Sequence, residues 1–299
     1  DSFLDITPTG KVIAKTGKEY RALLTYEYKN SPEDRGLATL RGDEITLDKT
    51  TTKAEDYDSY FDIWAWNDLS QQSTTVSFGW RRYYHAIYIA NYIIENKDKI
   101  TEATADEINQ LVGEAYMMRA YCHFLLVNLF AEPYTHCNAA TTRGVPLSLK
   151  ADVNAVLSCS SVEQVYQQVV DDVAKAKKHL TVEQWEEGYT YRFNTVSADA
   201  LMARVCLYKG DWQNALAAAQ AVIEAHGELE GLTVSKVMPN YYKSVESIVA
   251  LEQVMTSSYV RIGAPNKALI DQYRTGDKRK SLFYKAITAS AYSLQKYGE

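Results

Sequence analysis

Apolar residues recur at three- and four-residue spacing through the middle of the chain, and that spacing predicts helices. In the stretch Phe193–Gly227, Val196, Ala200, Leu201 and Val205 form one apolar face. Gly210-Asp211 interrupts it, and Trp212, Ala215, Leu216, Ala219 and Val222 form a second. Gly227 is expected to end that second helix in the left-handed conformation glycine tolerates. Two helices joined by a tight turn, with alanines where they approach closely, make the unit of a helical repeat. Upstream, Trp80, Tyr83, Ile87, Ala90 and Ile94 make a similar stripe, as do Leu111, Ala115, Met118, Cys122, Leu125 and Leu129. Val162, Val165, Val169, Val173, Ala176 and Leu180 make another, with Ser160 or Ser161 as its cap. Thr16 to Tyr28 reads as a shorter helix with Thr16 as N-cap. Trp80 and Trp212 fall on the stripes and are expected in the core.

The intervening segments carry weaker patterns. Asn30–Ser77 is polar and irregular, dense in Thr, Asp and aromatics, and a loop that long inside a compact domain is usually functional. Ala131–Ser158 reads as a long loop with Pro133, Pro146 and a turn at Arg143-Gly144, and Glu187–Asn194 as a shorter, Tyr-bearing insertion. Beyond Gly227, Leu232–Val237 and Ser247–Val254 read as short strands and Ala264–Tyr273 as a helix. The expected fold is therefore mostly α, a TPR-like helix-pair solenoid with long irregular loops and a few short strands. It forms one domain over residues 1–299, with repeats at 78–227 and irregular ligand-side segments at 30–77 and 228–299.

Composition narrows the function. No apolar run approaches the length that spans a bilayer as a helix. The net charge of −6 argues against a nucleic-acid partner, which wants a concentrated basic patch. The cationic cluster at Asp277–Lys280 reads as a solvated face. Cys122 and Cys206 fall in helices as small apolar residues, whereas Cys137 and Cys159 lie in loops where pairing is open. Tyrosine is the unusual residue: 23, against seven phenylalanines and five tryptophans. A flat apolar face with a polar edge suits wet interfaces and polar ligands.

Several motifs in order resemble the SusD/RagB group of outer-membrane nutrient-binding lipoproteins. The start Asp1-Ser2-Phe3-Leu4-Asp5-Ile6-Thr7-Pro8 resembles the opening that follows that family's lipidated cysteine. Trp80, Tyr84, Ile87 and Asn91 match its first repeat helix. Gly113-Glu114-Ala115 with Arg119-Ala120-Tyr121 matches the next, and Gly144-Val145-Pro146-Leu147 its exit loop. Ser161–Tyr166 with Asp171-Asp172-Val173 and Ala176 resembles the third, and Ala200-Leu201, Ala203-Arg204, Leu207-Tyr208 and Gly210-Asp211-Trp212 the pair that follows. Gly276-Asp277, Arg279 and Gln295-Lys296-Tyr297 resemble a later segment. Signal peptide and lipidated cysteine are not in this sequence, and family members usually continue past Glu299 through a further helix pair, so the C-terminal part of the family fold is expected to be missing.

The resemblance implies a lipid-anchored protein facing out from the outer membrane. It would capture oligosaccharides and deliver them to a SusC-type TonB-dependent transporter, with no covalent step, no catalysis and no essential cofactor. Sugar recognition wants flat rings for pyranose faces and polar side chains for hydroxyls. Arg41, Asp43, Tyr57, Tyr60, Trp64, Trp66, Asn67 and Asp68 supply such a set. Trp64 and Trp66 stand two apart, which in extended chain puts both rings on one face. Tyr259 and Arg261 form a second candidate patch. Trp185, Tyr189 and Tyr191 either rim a pocket or pack on their own repeat. His123, His136 and Cys137 are the nearest approach to a metal set, and His123 reads as a hydrogen-bonded helix histidine. No phosphate loop, G-x-S-x-G elbow or H-E-x-x-H occurs, and no carboxylate pair stands out for glycoside hydrolysis. The rival readings are a peptide-binding repeat scaffold with no sugar site, capture of a non-glycan nutrient such as peptide, and a carbohydrate-active enzyme.

Overall fold

The structure, a computed structural model, describes residues 14–30, 34–50, 52–234, 237–239, 241–251, 262–288 and 291–296. Its body is a TPR-like stack of helices. Helix α1 (Gly17–Lys29) and α2 (Asp34–Ala38) precede β1 (Ile45–Thr46) and α3 (Ala54–Trp64). Helices α4 (Arg81–Asn96), α5 (Ala105–Phe130), α6 (Val162–His179), α7 (Thr195–Lys209) and α8 (Trp212–Ala225) follow. Between α5 and α6, β2 (Arg143–Pro146) pairs antiparallel with β3 (Cys159–Ser161). The remaining elements are β4 (Ala264–Pro265), α9 (Lys267–Asp271), α10 (Lys278–Phe283), β5 (Tyr284–Ala286) and β6 (Tyr292–Leu294).

Local chemistry starts and stops these helices. Thr16, Thr104 and Ser161 close reciprocal capping boxes with Glu19, Glu107 and Gln164, satisfying backbone donors that would otherwise be orphaned. Gly210 ends α7 at φ 74°, and Asp211 caps α8 one residue later, so the turn between the helices is as tight as the sequence implies. The left-handed glycine of this helix pair is Gly210 and not Gly227: α8 ends at His226 with φ −150° and ψ 62°.

Packing divides into two cores. The larger joins α1 and α4–α7 through Leu24, Ile87, Ala90, Ala115, Leu126, Val169 and Val205. The smaller gathers Leu37, Leu40, Ile45, Ile63, Ile262, Ile270, Tyr284 and Leu294, so segments from both ends of the chain share it. β1 pairs with β4 to tie them, and Gly263 is needed there because a Cβ would lie 2.5 Å from Ile45 Cγ2 and 2.7 Å from the Thr46 carbonyl.

A polar spine runs through the larger core. Arg119 on α5 donates from Nε and Nη2 to the two oxygens of Asp172 on α6, at 2.7 and 2.6 Å, and from Nη1 to Asn91 on α4 at 2.7 Å. Asn91 donates onward to the Ser148 and Lys150 carbonyls, pinning the loop after β2. One turn earlier on α5, Glu114 accepts both guanidinium nitrogens of Arg21 and the Tyr28 hydroxyl.

Several sequence expectations fail here for identifiable reasons. Asn30–Ser77 is not irregular throughout: α3 forms because Tyr57, Tyr60, Phe61 and Trp64 recur at helical spacing, with Tyr57 and Phe61 stacked at 4.7 Å. Arg143-Gly144 is strand rather than turn. Leu232–Val234 forms a turn, Val237 is a bend and 247–251 has no strand, while 235–236 and 252–254 lie outside the described residues. Helix α9 starts only at Lys267 because Asn266 caps it. Trp212 is not core; its side chain is 66% exposed, because α8 meets α7 through Ala215 and turns Trp212, Leu216 and Ile223 outward. Trp80 sits at the N-cap of α4, partly exposed, stacked on Tyr84 and tilted against Phe130. Cys137 and Cys159 are both free thiols.

Candidate functional site

The chain leaving α3 builds the most exposed aromatic of the candidate set. Asp62, in the last turn of α3, is buried and collects three donors from the loop ahead of it. The Thr75 hydroxyl approaches at 2.6 Å, the Gln72 N–H at 2.8 Å and the Asn67 amide at 2.9 Å. The Thr75 hydroxyl, with the other two, holds this carboxyl below the usual carboxylate range. The loop is thereby folded around one charge, and Trp66 is carried on its outer side.

Trp66 adopts φ 56°, a conformation bulky residues rarely take and keep only where the surroundings enforce it. Its N–H donates to the Ile63 carbonyl at 3.2 Å and its indole Nε1 donates to the Arg41 carbonyl at 3.2 Å. The Arg41 guanidinium lies 4.6 Å from the Trp66 ring centre and 5.1 Å from that of Phe78, and it pairs with Asp68. Arg41 Nε is buried with no hydrogen-bond partner. Trp66 nevertheless stays 63% exposed. The result is a fixed indole with a charged, hydrogen-bonding rim.

The other candidates separate from it. Trp64 does not share a face with Trp66: it lies in the last turn of α3, its ring packs against the smaller core, and its Nε1 donates to the Ile45 carbonyl. The extended geometry behind that expectation is replaced by a helix followed by a left-handed step. Asn67 is spent on the loop, donating to Asp62 and accepting from the Ser70 hydroxyl. Asp43 is exposed, two residues beyond Arg41. Tyr259 and Arg261 lie outside the described residues. Two participants were missing from the sequence reading. Phe78 completes the Arg41 sandwich, and Asp62 organises the loop; spacing could have exposed the second, since it sits one turn before Trp66.

A second aromatic cluster lies on the loop between α6 and α7. Arg192 packs over Trp185, Tyr189 and Tyr191, at 5.0, 4.2 and 5.5 Å from their ring centres. Trp185 and Tyr191 therefore do both things anticipated of them, holding their own loop and each lining a cavity, whereas Tyr189 serves the loop. His123 is fully buried, with Nδ1 3.1 Å from the Arg119 carbonyl and Nε2 accepting from the Ser148 N–H at 3.4 Å, so both ring nitrogens are engaged.

A family model described as starch-binding and associating with the outer membrane matches residues 3–207. The chain belongs to the SusD-like family. Among curated relatives, SusD-like protein P38 of Formosa agariphila is 30% identical over 164 residues, which is 54% of this chain and 29% of that protein. The SusD-like chain therefore spans less than a third of that relative's length. A SusD superfamily structure from Bacteroides fragilis superposes over 96% of this chain and 70% of its own, with a TM-score of 0.77 at 20% identity. A laminarin-binding SusD-like protein shares the fold over 73% of this chain and 45% of its own, with a TM-score of 0.59 at 20% identity. That family is described by starch binding in association with the outer membrane, and no helix among the described residues of this chain is long and apolar enough to cross a membrane as a helix.

The motif residues that carry the resemblance divide by role within this SusD-like chain. Asn91, Glu114, Arg119 and Asp172 form the buried spine, and Tyr84 donates to the Pro146 carbonyl to fasten the exit loop. They hold the repeats together. The exposed indole and its rim come from the segment outside the motifs.

Proposed function

We propose that this chain binds a glycan on the Trp66 indole and hands it to a SusC-type TonB-dependent transporter, as a lipid-anchored component of the outer-membrane surface. The observation that carries the reading is the exposed, conformationally fixed Trp66 beside the Arg41–Asp68 pair. A pyranose stacks its C–H face on an indole, and the flanking guanidinium and carboxylate meet its hydroxyls. Rigidity matters because little side-chain entropy remains to be lost on binding. Binding without turnover fits this arrangement: Asp68 is paired with Arg41, whereas glycoside hydrolysis needs two carboxylates placed across the bond. Support for a protein partner comes from Trp212, Leu216 and Ile223, an apolar stripe turned outward on α8.

Calorimetry or gel retardation against soluble polysaccharides tests this, with laminarin first because a protein of the same fold binds it. Trp66→Ala is expected to weaken binding about tenfold, roughly the 1.4 kcal/mol of one stacking contact, with helical circular dichroism unchanged. Affinity equal to wild type would remove Trp66 from the site. Reducing ends released during incubation would favour the enzyme reading instead.

A further inference from the structure

Four tyrosines that are distant in sequence meet at a place other than Trp66. Residues 241–251 lie against the loop between α6 and α7, held by the Ala250 N–H donating to the Thr190 carbonyl at 3.0 Å. The Asn194 amide donates to the Ile248 carbonyl at 3.1 Å, and Lys243 pairs with Glu187 at 2.6 Å. Between these segments and the last turn of α1 is a cavity of about 780 Å³. Tyr28, Tyr191, Tyr241 and Tyr242 line it. Tyr28 is its pinned floor, buried, with its hydroxyl donating to Glu114 and accepting from the Phe193 N–H. Tyr191 packs edge-on against Tyr28 at 5.4 Å. Tyr241 and Tyr242 stand 4.7 Å apart at 55° to each other and are 36% and 42% exposed.

Thr190 and Tyr242 also line a second depression, of about 880 Å³, so the two adjoin across these residues. The second is polar where the first is aromatic. Gln184, Glu224, Glu228 and Ser247 line it together with His226. The Nε2 of His226 is buried with no hydrogen-bond partner, an expensive state that a ligand hydroxyl would relieve.

Resting on the glycan reading above, we infer that this groove is a second carbohydrate subsite, which takes an oligosaccharide of several units and not a single sugar. Each depression alone has the volume of a site for a drug-sized ligand, so the pair suits a chain that crosses from one to the other. Tyr191, Tyr241 and Tyr242 offer ring faces to successive sugars, and the depression beyond Thr190 offers hydrogen bonds. Among the described residues lining the aromatic half, Lys29 is the single formal charge, so recognition there would rest on ring stacking more than on charge pairing, which suits a neutral glycan.

Footprinting of the wild-type chain by hydroxyl radicals, with and without saturating laminarin or whichever polysaccharide of the panel binds, tests this. Protection of Tyr241 and Tyr242 is the expected result. Protection at Trp66 without protection of these tyrosines overturns the groove and leaves the glycan reading standing. Absence of binding to every polysaccharide overturns both. In calorimetry, Tyr241→Ala/Tyr242→Ala is expected to lose at least tenfold in affinity for oligosaccharides of three or more units and much less for a disaccharide. Equal loss for every chain length, or none, overturns the inference. The footprint decides the matter even if the double variant folds poorly.

Discussion

Asp172→Ala is expected to destabilise the chain by about 3–5 kcal/mol, the usual cost of removing one partner from a buried ion pair. Arg119 and Asp172 are both buried, and the guanidinium gives two of its donors to this carboxylate. Without Asp172, a charge in the middle of α5 keeps, among the described residues, Asn91 and the face of Tyr116. Gln168 loses its acceptor as well. Damage reaches beyond α6, since Asn91 positions the loop after β2 through two carbonyls. A chain of this size should show a drop of roughly 10 °C in melting temperature, read by circular dichroism. The comparison that isolates the charge is Arg119→Met/Asp172→Leu. If the stranded guanidinium causes the loss, this double variant recovers much of the stability, because apolar side chains of similar volume escape the desolvation cost. A double variant no more stable than Asp172→Ala would instead place the loss in packing or in Asn91.

The stack of helices was legible because each stripe is repeated within its own segment. Val162 through Leu180 places an apolar residue on one side at every turn, and Ser161 with Gln164 announces where the helix begins. The spine was not legible. Arg119, Asn91 and Asp172 stand 28 and 53 residues apart, and nothing local says that a charged residue within an apolar helix faces a carboxylate on the next one. The motifs that resembled a family were thus residues of the frame, which is why they pointed to the fold more firmly than to a ligand.

The site was half legible for a different reason. Periodicity marks a helix only when polar and apolar positions alternate cleanly, and α3 mixes Glu55, Asp56, Asp58 and Asp62 with its aromatics. Taking that stretch as extended put Trp64 and Trp66 together; the helix sends one ring into the smaller core and the left-handed step at Trp66 sends the other outward. Trp212 shows the converse. Its place on the stripe of α8 was read correctly, yet burial depends on a neighbouring surface, and the neighbours described here leave that side uncovered. Tyr191, Tyr241 and Tyr242 meet only through long-range packing, which composition hints at and spacing does not encode.

Acidification supplies the second large effect, through His123. Burial, with the Arg119 charge nearby, pushes the pKa of this imidazole down to about 3. The neutral ring donates from Nδ1 to the Arg119 carbonyl and accepts at Nε2 from the Ser148 N–H, so protonation would turn an acceptor against a donor. A histidine whose folded pKa lies below its unfolded value of about 6.5 binds fewer protons folded than unfolded between the two. Its contribution is therefore fully present above about pH 6.5 and is lost as pH falls toward 3. Between pH 7 and pH 4 the loss is about 3 kcal/mol, from roughly 1.36 kcal/mol per unit. Glu27 acts with the opposite sign, because burial, partly offset by His85, raises its carboxyl and favours the folded state at lower pH. The His123→Gln variant separates the two. Its amide can donate to the same carbonyl or accept from the same N–H, but it has no proton to gain in this range. Urea denaturation from pH 7 to pH 4 should show the wild type losing about 3 kcal/mol more than His123→Gln. Parallel curves for the two proteins would mean that His123 is not the acid-sensitive group and that the loss belongs to the carboxylates.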